Sequence, residues 1–139
     1  MKSLKSLYDL SYDTSGFNSG IINWYNRLID KTYDDLSVED VCRMIRQDIL
    51  RDIAIQKAID LFLHDPYDGE YSDGDLLSVL VSLDIKLMNT TIREKLKSVL
   101  NVIEHEYVDF DWFDDESKVQ YARNIERMYS QLVNANDKV

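Results

Sequence analysis

The chain has 139 residues, 45% of them hydrophobic and 30% charged, with 4 glycines, 1 proline and 1 cysteine. This is the size and composition of one globular domain stabilised by burial, and it excludes a disordered chain and a disulfide scaffold. Sixteen Lys and Arg against 26 Asp and Glu give a net charge of -10, which disfavours nucleic acid and anionic membranes and favours a basic partner.

The first twenty residues read as a loosely held lead-in to a single domain over residues 1–139. Ile21, Ile22, Trp24, Tyr25, Leu28 and Ile29 then fall on one side of a short helix. At Ser37 the signals for a helix start coincide: a capping hydroxyl, Asp40 at the capping-box position, and Leu36 with Val41 at the staple spacing. A helix should therefore begin at Val38. Its stripe of Val38, Val41, Ile45 and Ile49 is followed by Ile55, Ala58, Ile59, Phe62 and Leu63, and the spacing leaves open one bent helix or two.

The run from His64 to Asp75 (HDPYDGEYSDGD) holds the only proline and two of the four glycines, so it should be a structured loop. Gly69 and Gly74 would permit left-handed turns, and the carboxylates would make Asx turns and helix caps, Ser72 and Asp75 repeating the capping spacing. Leu76, Leu77, Val79, Leu80, Val81 and Leu83 are apolar on nearly all sides, as expected of a central helix enclosed by others. After the cap candidates Asn89, Thr90 and Thr91, Ile92, Leu96, Val99, Leu100, Ile103 and Tyr107 line a further helix, and Tyr121, Ile125, Met128, Tyr129 and Leu132 a last one. The expectation is an all-α bundle of about five to six helices.

Catalytic signatures are missing: there is no Gly-x-Ser-x-Gly elbow, Walker loop, Gly-x-Gly-x-x-Gly loop or His-Glu-x-x-His helix. Cys42 lies beside a core stripe and reads as a small buried side chain, while His64 and His105 read as helix-end and surface groups. Asp65, Asp68, Glu70, Asp73 and Asp75 crowd one loop as calcium ligands would. The twelve-residue register fails, because counting from Asp68 puts Asp73 at the glycine position and Val79 at the closing glutamate. No metal, cofactor or enzymatic activity is expected.

Charge distribution is more informative. Seven acids and no Lys or Arg lie between Ala58 and Ile85, and seven again between Ser98 and Ser117. The second segment, from Glu104 to Glu116 (EHEYVDFDWFDDE), interleaves Glu104, Glu106, Asp109, Asp111, Asp114, Asp115 and Glu116 with Tyr107, Phe110, Trp112 and Phe113. Carboxylates would steer a basic partner while Phe110 or Trp112 anchored it; equally, the aromatics could pack inward beneath an acidic loop. Asp65, Asp68, Glu70, Tyr71 and Asp73 form the second candidate surface.

A composite of motifs runs through the centre of the chain: Leu36 to Asp40 (LSVED), Met44 to Gln47 (MIRQ), the helix from Ala58 to Leu63, and Asp65 to Leu77 (DPYDGEYSDGDLL). Over about residues 20 to 85 it resembles the immunity proteins of bacterial contact-dependent growth inhibition (CDI). The resemblance implies a small cytosolic protein that binds and neutralises the toxic C-terminal domain of a cell-surface effector, often a nuclease, without catalysis of its own. Toxin identity would be read outside the shared motif, whose glycines, proline, caps and apolar residues have structural roles. The competing expectations are an acidic nucleic-acid mimic or other protein-binding regulator, and a carboxylate metalloenzyme.

Overall fold

The computed structural model describes residues 1–16 and 19–137. Among the described residues there are seven α-helices: α1 (Leu4–Leu7), α2 (Gly20–Leu28), α3 (Val38–Gln47), α4 (Arg51–His64), α5 (Asp75–Val81), α6 (Thr90–Glu106) and α7 (Asp115–Asp137). Among the described residues, pairing of extended chain is limited to an isolated bridge between Ser3 and Thr32. The all-α expectation therefore holds, with the one-turn α1 added to six longer helices. No described helix is long and apolar enough to cross a membrane.

Helix α3 begins as its capping signals require. The Ser37 side chain accepts from the Asp40 N–H at 3.1 Å, and the Asp40 carboxylate accepts from the Ser37 N–H at 3.1 Å. Leu36 and Val41, the staple pair, are both buried. Asp40 also accepts from Lys31 Nζ at 2.7 Å and from Trp24 Nε1 at 3.3 Å, so one carboxylate joins α2, the segment after it and the start of α3. Burial pushes this carboxyl up, but the hydrogen bonds from Lys31, Ser37 and Trp24 outweigh it and hold it below the ordinary carboxylate range.

The stretch from Val38 to His64 forms two helices. Asp48 (φ 54°) and Leu50 (φ 46°) both take the left-handed conformation, which ends the ladder of α3 and turns the chain into α4. For Leu50 this conformation is strained; its side chain, like those of Ile49 and Ile53, packs against the core, so burial offsets the strain.

Helix α5 is the centre of the bundle, packed against α3, α4 and α7. Leu76, Leu77 and Leu80 are each 0% exposed, as the all-round apolar pattern predicts. The apolar faces of α6 (Leu96, Leu100, Ile103) and α7 (Tyr121, Ile125, Met128, Leu132) close over this core. Cys42 is buried, and burial, with the neighbouring Glu70 and Asp75 charges, pushes its thiol up to about 12, in keeping with a packing role. The lead-in is less loose than expected. Leu4 is 1% exposed, and its N–H donates to the Lys31 carbonyl at 2.8 Å, pinning α1 beside the end of α2.

Placing a charge in the middle of α5 through Leu80→Asp should cost several kcal/mol, on the order of 3–5, and abolish cooperative thermal unfolding. The Asp40 network should also make stability pH-dependent. Because its folded pKa is depressed, its contribution is present above the ordinary Asp value of about 4 and is lost as pH falls through the folded value. Asp40→Asn should lower stability at neutral pH by about 1–2 kcal/mol and flatten the acid limb of a Tm-against-pH curve.

Candidate functional site

The two acidic segments, far apart in sequence, come together on one face. Their link is an aromatic cluster: Tyr67 from the first segment stacks on Phe110 from the second (centroids 4.2 Å apart, planes 8° apart) and on Tyr121 of α7 (5.4 Å, 23°). Trp112 sits edge-on to Phe110 at 4.7 Å and to Tyr67 at 5.9 Å, and packs tilted against Tyr121 at 4.9 Å. Two hydrogen bonds fix the cluster, with Trp112 Nε1 donating to the Tyr107 carbonyl at 2.7 Å and the Tyr121 hydroxyl to the Pro66 carbonyl at 2.7 Å. Phe110 and Trp112 are thus half-buried members of the fold, and Tyr121 is buried. Burial raises the Tyr67 phenol above its ordinary range, reinforced by the charges of Glu106 and Asp65, and pushes Tyr121 further in the same direction.

The Asp65–Asp75 loop is ordered chiefly by its own carboxylates. Asp65 accepts from the Tyr67 N–H at 3.0 Å, and Asp68 from the Gly69 N–H at 2.8 Å. The Asp75 carboxylate takes the N–H groups of Glu70, Tyr71 and Ser72 at 2.6, 3.0 and 3.1 Å. Asp75 therefore reaches back to the Ser72 N–H, while Gly74, not Ser72, is the N-cap of α5 and makes no side-chain cap. Glu70 is drawn out of the surface: its side chain, 8% exposed, forms a two-bonded pair with Arg46 at 2.6 and 3.1 Å.

The two glycines have different reasons. Gly74 needs its φ of +78°, and a Cβ there would lie 2.4 Å from the Tyr121 ring. Gly69 does not take the left-handed conformation that its sequence context predicts; its role is close approach, since a Cβ would fall 1.9 Å from the Ser72 carbonyl oxygen and 2.3 Å from Asp75 Oδ1.

Between the segments lies a cleft of about 290 Å³ lined by Ser72, Asp73, Gly74, Asp75 and Ser78 on one side and by Asp114, Glu116, Ser117, Gln120, Tyr121 and Asn124 on the other. Asp114 accepts from the Ser117 N–H at 2.7 Å as α7 begins, a hydrogen bond that lowers its pKa. Asn124 is buried and donates to Ser78 Oγ at 2.6 Å, tying α7 to α5. Glu104, Glu106, Asp109, Asp111, Asp115 and Glu116 are exposed, as are Asp65, Tyr71 and Asp73, whereas Asp68 is half-buried; of these, Asp73 and Glu116 line the cleft, and Tyr71 lines a separate cavity with Trp24, Arg43, Arg46 and Glu70. Phe113, which the sequence analysis did not single out as an anchor, is 90% exposed, and Tyr71 is 83% exposed. Alternation of charge and ring in the second segment could not separate Phe113 from Trp112, because the distinction depends on Tyr67 and Tyr121, which come from elsewhere in the chain. Among the described residues no group of three or more His, Cys, Asp or Glu side chains is arranged to hold a metal ion.

These features define an acidic all-α domain in which one of the surface clefts is acidic and backed by aromatic rings. The model of a family described as CDI immunity proteins matches residues 7–99, two thirds of the chain, and the chain belongs to that family. The match is wider than the span from 20 to 85 that carries the motif resemblance, and it ends before the Glu104–Glu116 segment. No curated protein matches the chain.

Two substitutions test the join between the segments. Gly74→Ala, which meets both a left-handed backbone and the Tyr121 ring, should cost about 2 kcal/mol or more, and Trp112→Ala a similar amount. Both should appear as a lower Tm by differential scanning calorimetry, with Phe113→Ala as the exposed aromatic reference that leaves Tm unchanged.

Proposed function

We propose that the protein binds the toxic C-terminal domain of a CDI effector through this acidic face and holds it inactive, the toxin being a nuclease with a basic active-site cleft. The observation that carries the reading is the convergence of both acidic segments on one cleft, with no Lys or Arg in either segment. A nuclease site must attract phosphates, so its surface is basic, and a dense array of carboxylates complements the same field. Family membership supplies the class of partner; the charge arrangement supports the kind of surface it presents.

Binding, not turnover, is the mode of action. The protein acts in the cytoplasm, where a delivered toxin would meet its substrate, and needs neither cofactor nor metal. Glu104, Glu106, Asp109, Asp111, Asp114, Asp115 and Glu116 provide long-range attraction, with Asp73 and Asp65 adding to the same field across the cleft. Phe110 and Trp112 contribute by holding the segment in shape, since the rings that sequence reasoning offered as anchors are engaged inside the aromatic cluster.

The test is co-expression with the C-terminal domain of the effector encoded upstream, followed by binding kinetics with the purified pair. The parent should protect the cell and bind one to one. Reversal of Asp111, Asp114 and Asp115 to Lys should slow association by roughly tenfold or more at low salt and reduce its ionic-strength dependence. Equal, salt-sensitive binding to unrelated basic proteins, with no protection, would mark a general nucleic-acid mimic instead.

A further inference from the structure

The acidic cleft opens into a second one. Ser78 of α5 and Gln120 of α7 line both it and a larger groove of about 850 Å³, so the two adjoin along the seam between these helices. The lining changes sign on the way. Asp73, Asp75, Asp114 and Glu116 face the first cleft with no cationic side chain among its lining, whereas the second carries Arg123 and Arg127 against the single acid Glu126.

The change follows from the register of α7. Glu116, Gln120, Arg123, Arg127 and Ser130 recur at intervals of four, three, four and three residues, the spacing of one helix face. At 1.5 Å per residue, Glu116 and Arg123 stand about 10 Å apart along the axis. This exceeds the screening length of about 8 Å at physiological ionic strength, so the two ends of the face keep distinct fields. Hydrogen bonds fix the floor: Gln120 donates to Asn124 Oδ1 at 3.3 Å, Asn124 to Ser78 Oγ at 2.6 Å, and Gln131 to the Val81 carbonyl at 2.8 Å.

The fold itself makes no use of the two guanidiniums. Arg123 and Arg127 are exposed, and among the described residues neither has an ion-pair or hydrogen-bond partner. Arg46, by contrast, is paired with Glu70, and Arg93 donates to the Ile85 carbonyl. A free guanidinium presents a planar fork of donors that fits a carboxylate at two points. A uniformly basic partner would meet two like charges here, and such a juxtaposition weakens binding and rejects the wrong surface.

We infer that the toxin domain presents a bipolar surface to the seam of α5 and α7: a basic patch that enters the acidic cleft and, beside it, a carboxylate that pairs with Arg123 and Arg127. This rests on the function proposed above and adds the second half of the partner's chemistry. Both arginines lie beyond the family-matched residues 7–99, while Ser78, Val81 and Ser82 on the α5 side of the groove lie within them.

The test uses the full chain and, as probe, the purified C-terminal domain of the effector encoded upstream. Arg123→Glu with Arg127→Glu replaces two cations by two anions, so attraction between net charges alone predicts equal or tighter binding to a basic toxin. The bipolar contact predicts the opposite, a loss of about 30-fold or more with faster dissociation and unchanged Tm. The neutral pair Arg123→Gln with Arg127→Gln should weaken binding by about tenfold. Lys95→Glu with Lys97→Glu, the same charge change on exposed α6 residues that line neither cleft, should not weaken it. In the complex of the unaltered chain, Arg123 and Arg127 should be shielded from phenylglyoxal, read by mass spectrometry, while both react in the free protein. Failure of the parent to bind overturns the proposed function and this inference with it. If the parent binds and the Glu pair binds as well or better, or loses no more than the Lys95 and Lys97 control, only the inference is overturned. It is likewise overturned if both arginines stay reactive in the complex.

Discussion

The acidic face depends on the packing of Tyr121 against Gly74. Tyr121 comes from the second turn of α7 and is 1% exposed, and a single added carbon at Gly74 would lie 2.4 Å from its ring. That approach brings α7 against the start of α5, and the Tyr121 hydroxyl, reaching the Pro66 carbonyl, closes the Asp65–Asp75 loop onto the same helix. Tyr67 and Trp112 both pack on this ring and on each other, and Phe110 completes the cluster. With a β-carbon at Gly74 α7 would have to stand away, and the cleft between the two segments would lose its second wall.

Such packing has to overcome a real opposition. Each segment carries seven acids and no Lys or Arg, so bringing them together raises electrostatic repulsion, although solvent and salt screen the exposed carboxylates over about 8 Å at physiological ionic strength. Dispersion and apolar burial among four interlocked rings oppose the repulsion, since each aromatic pair is worth about 0.5–1.5 kcal/mol beyond its buried area. Internal hydrogen bonding helps in the loop, where Asp75 spends its charge on three backbone N–H groups. The carboxylates left over, Asp73, Asp109, Asp111, Asp115 and Glu116, are the ones whose mutual repulsion a basic partner would relieve. An acidic face of this kind is thus less stable alone than in a complex, and the difference appears as binding energy.

What sequence reasoning could reach was decided by the range of the interactions. The Ser37–Asp40 box, the all-round apolar α5, the buried Cys42 and the stripes of α6 and α7 are local or periodic signals, and each appears where its spacing places it. The misreadings have non-local causes. Gly69 is small because of Ser72 and Asp75; Glu70 is withdrawn by Arg46, 24 residues earlier; Leu4 is held by Lys31, well beyond the lead-in it starts. Similarly, no spacing rule distinguishes Trp112 from Phe113, because only the arrival of Tyr67 and Tyr121 decides which ring turns inward. The break between α3 and α4 was invisible for another reason: Asp48 and Leu50 adopt positive φ without a glycine to announce it.

Structural duty and exposed charge are divided unequally between the two acidic segments. The matched residues 7–99 include the capping box, the central helix and the ordered loop, and nearly all of that loop's carboxylates have internal structural duties. A change there would be felt first in folding. The segment from Glu104 to Glu116 runs from the last turn of α6 through the connection into the first turn of α7, and its outward carboxylates carry few internal obligations apart from Asp114, which caps α7, and Glu104, which meets His105. Provided that Phe110 and Trp112 keep their places in the stack, the exposed positions between and after them are free to vary in charge and shape without disturbing the core. Exposed side chains on a strip anchored by two inward rings can differ in charge and shape at little cost in stability, while the aromatic cluster keeps that strip beside the wall of the cleft formed by the Asp65–Asp75 loop.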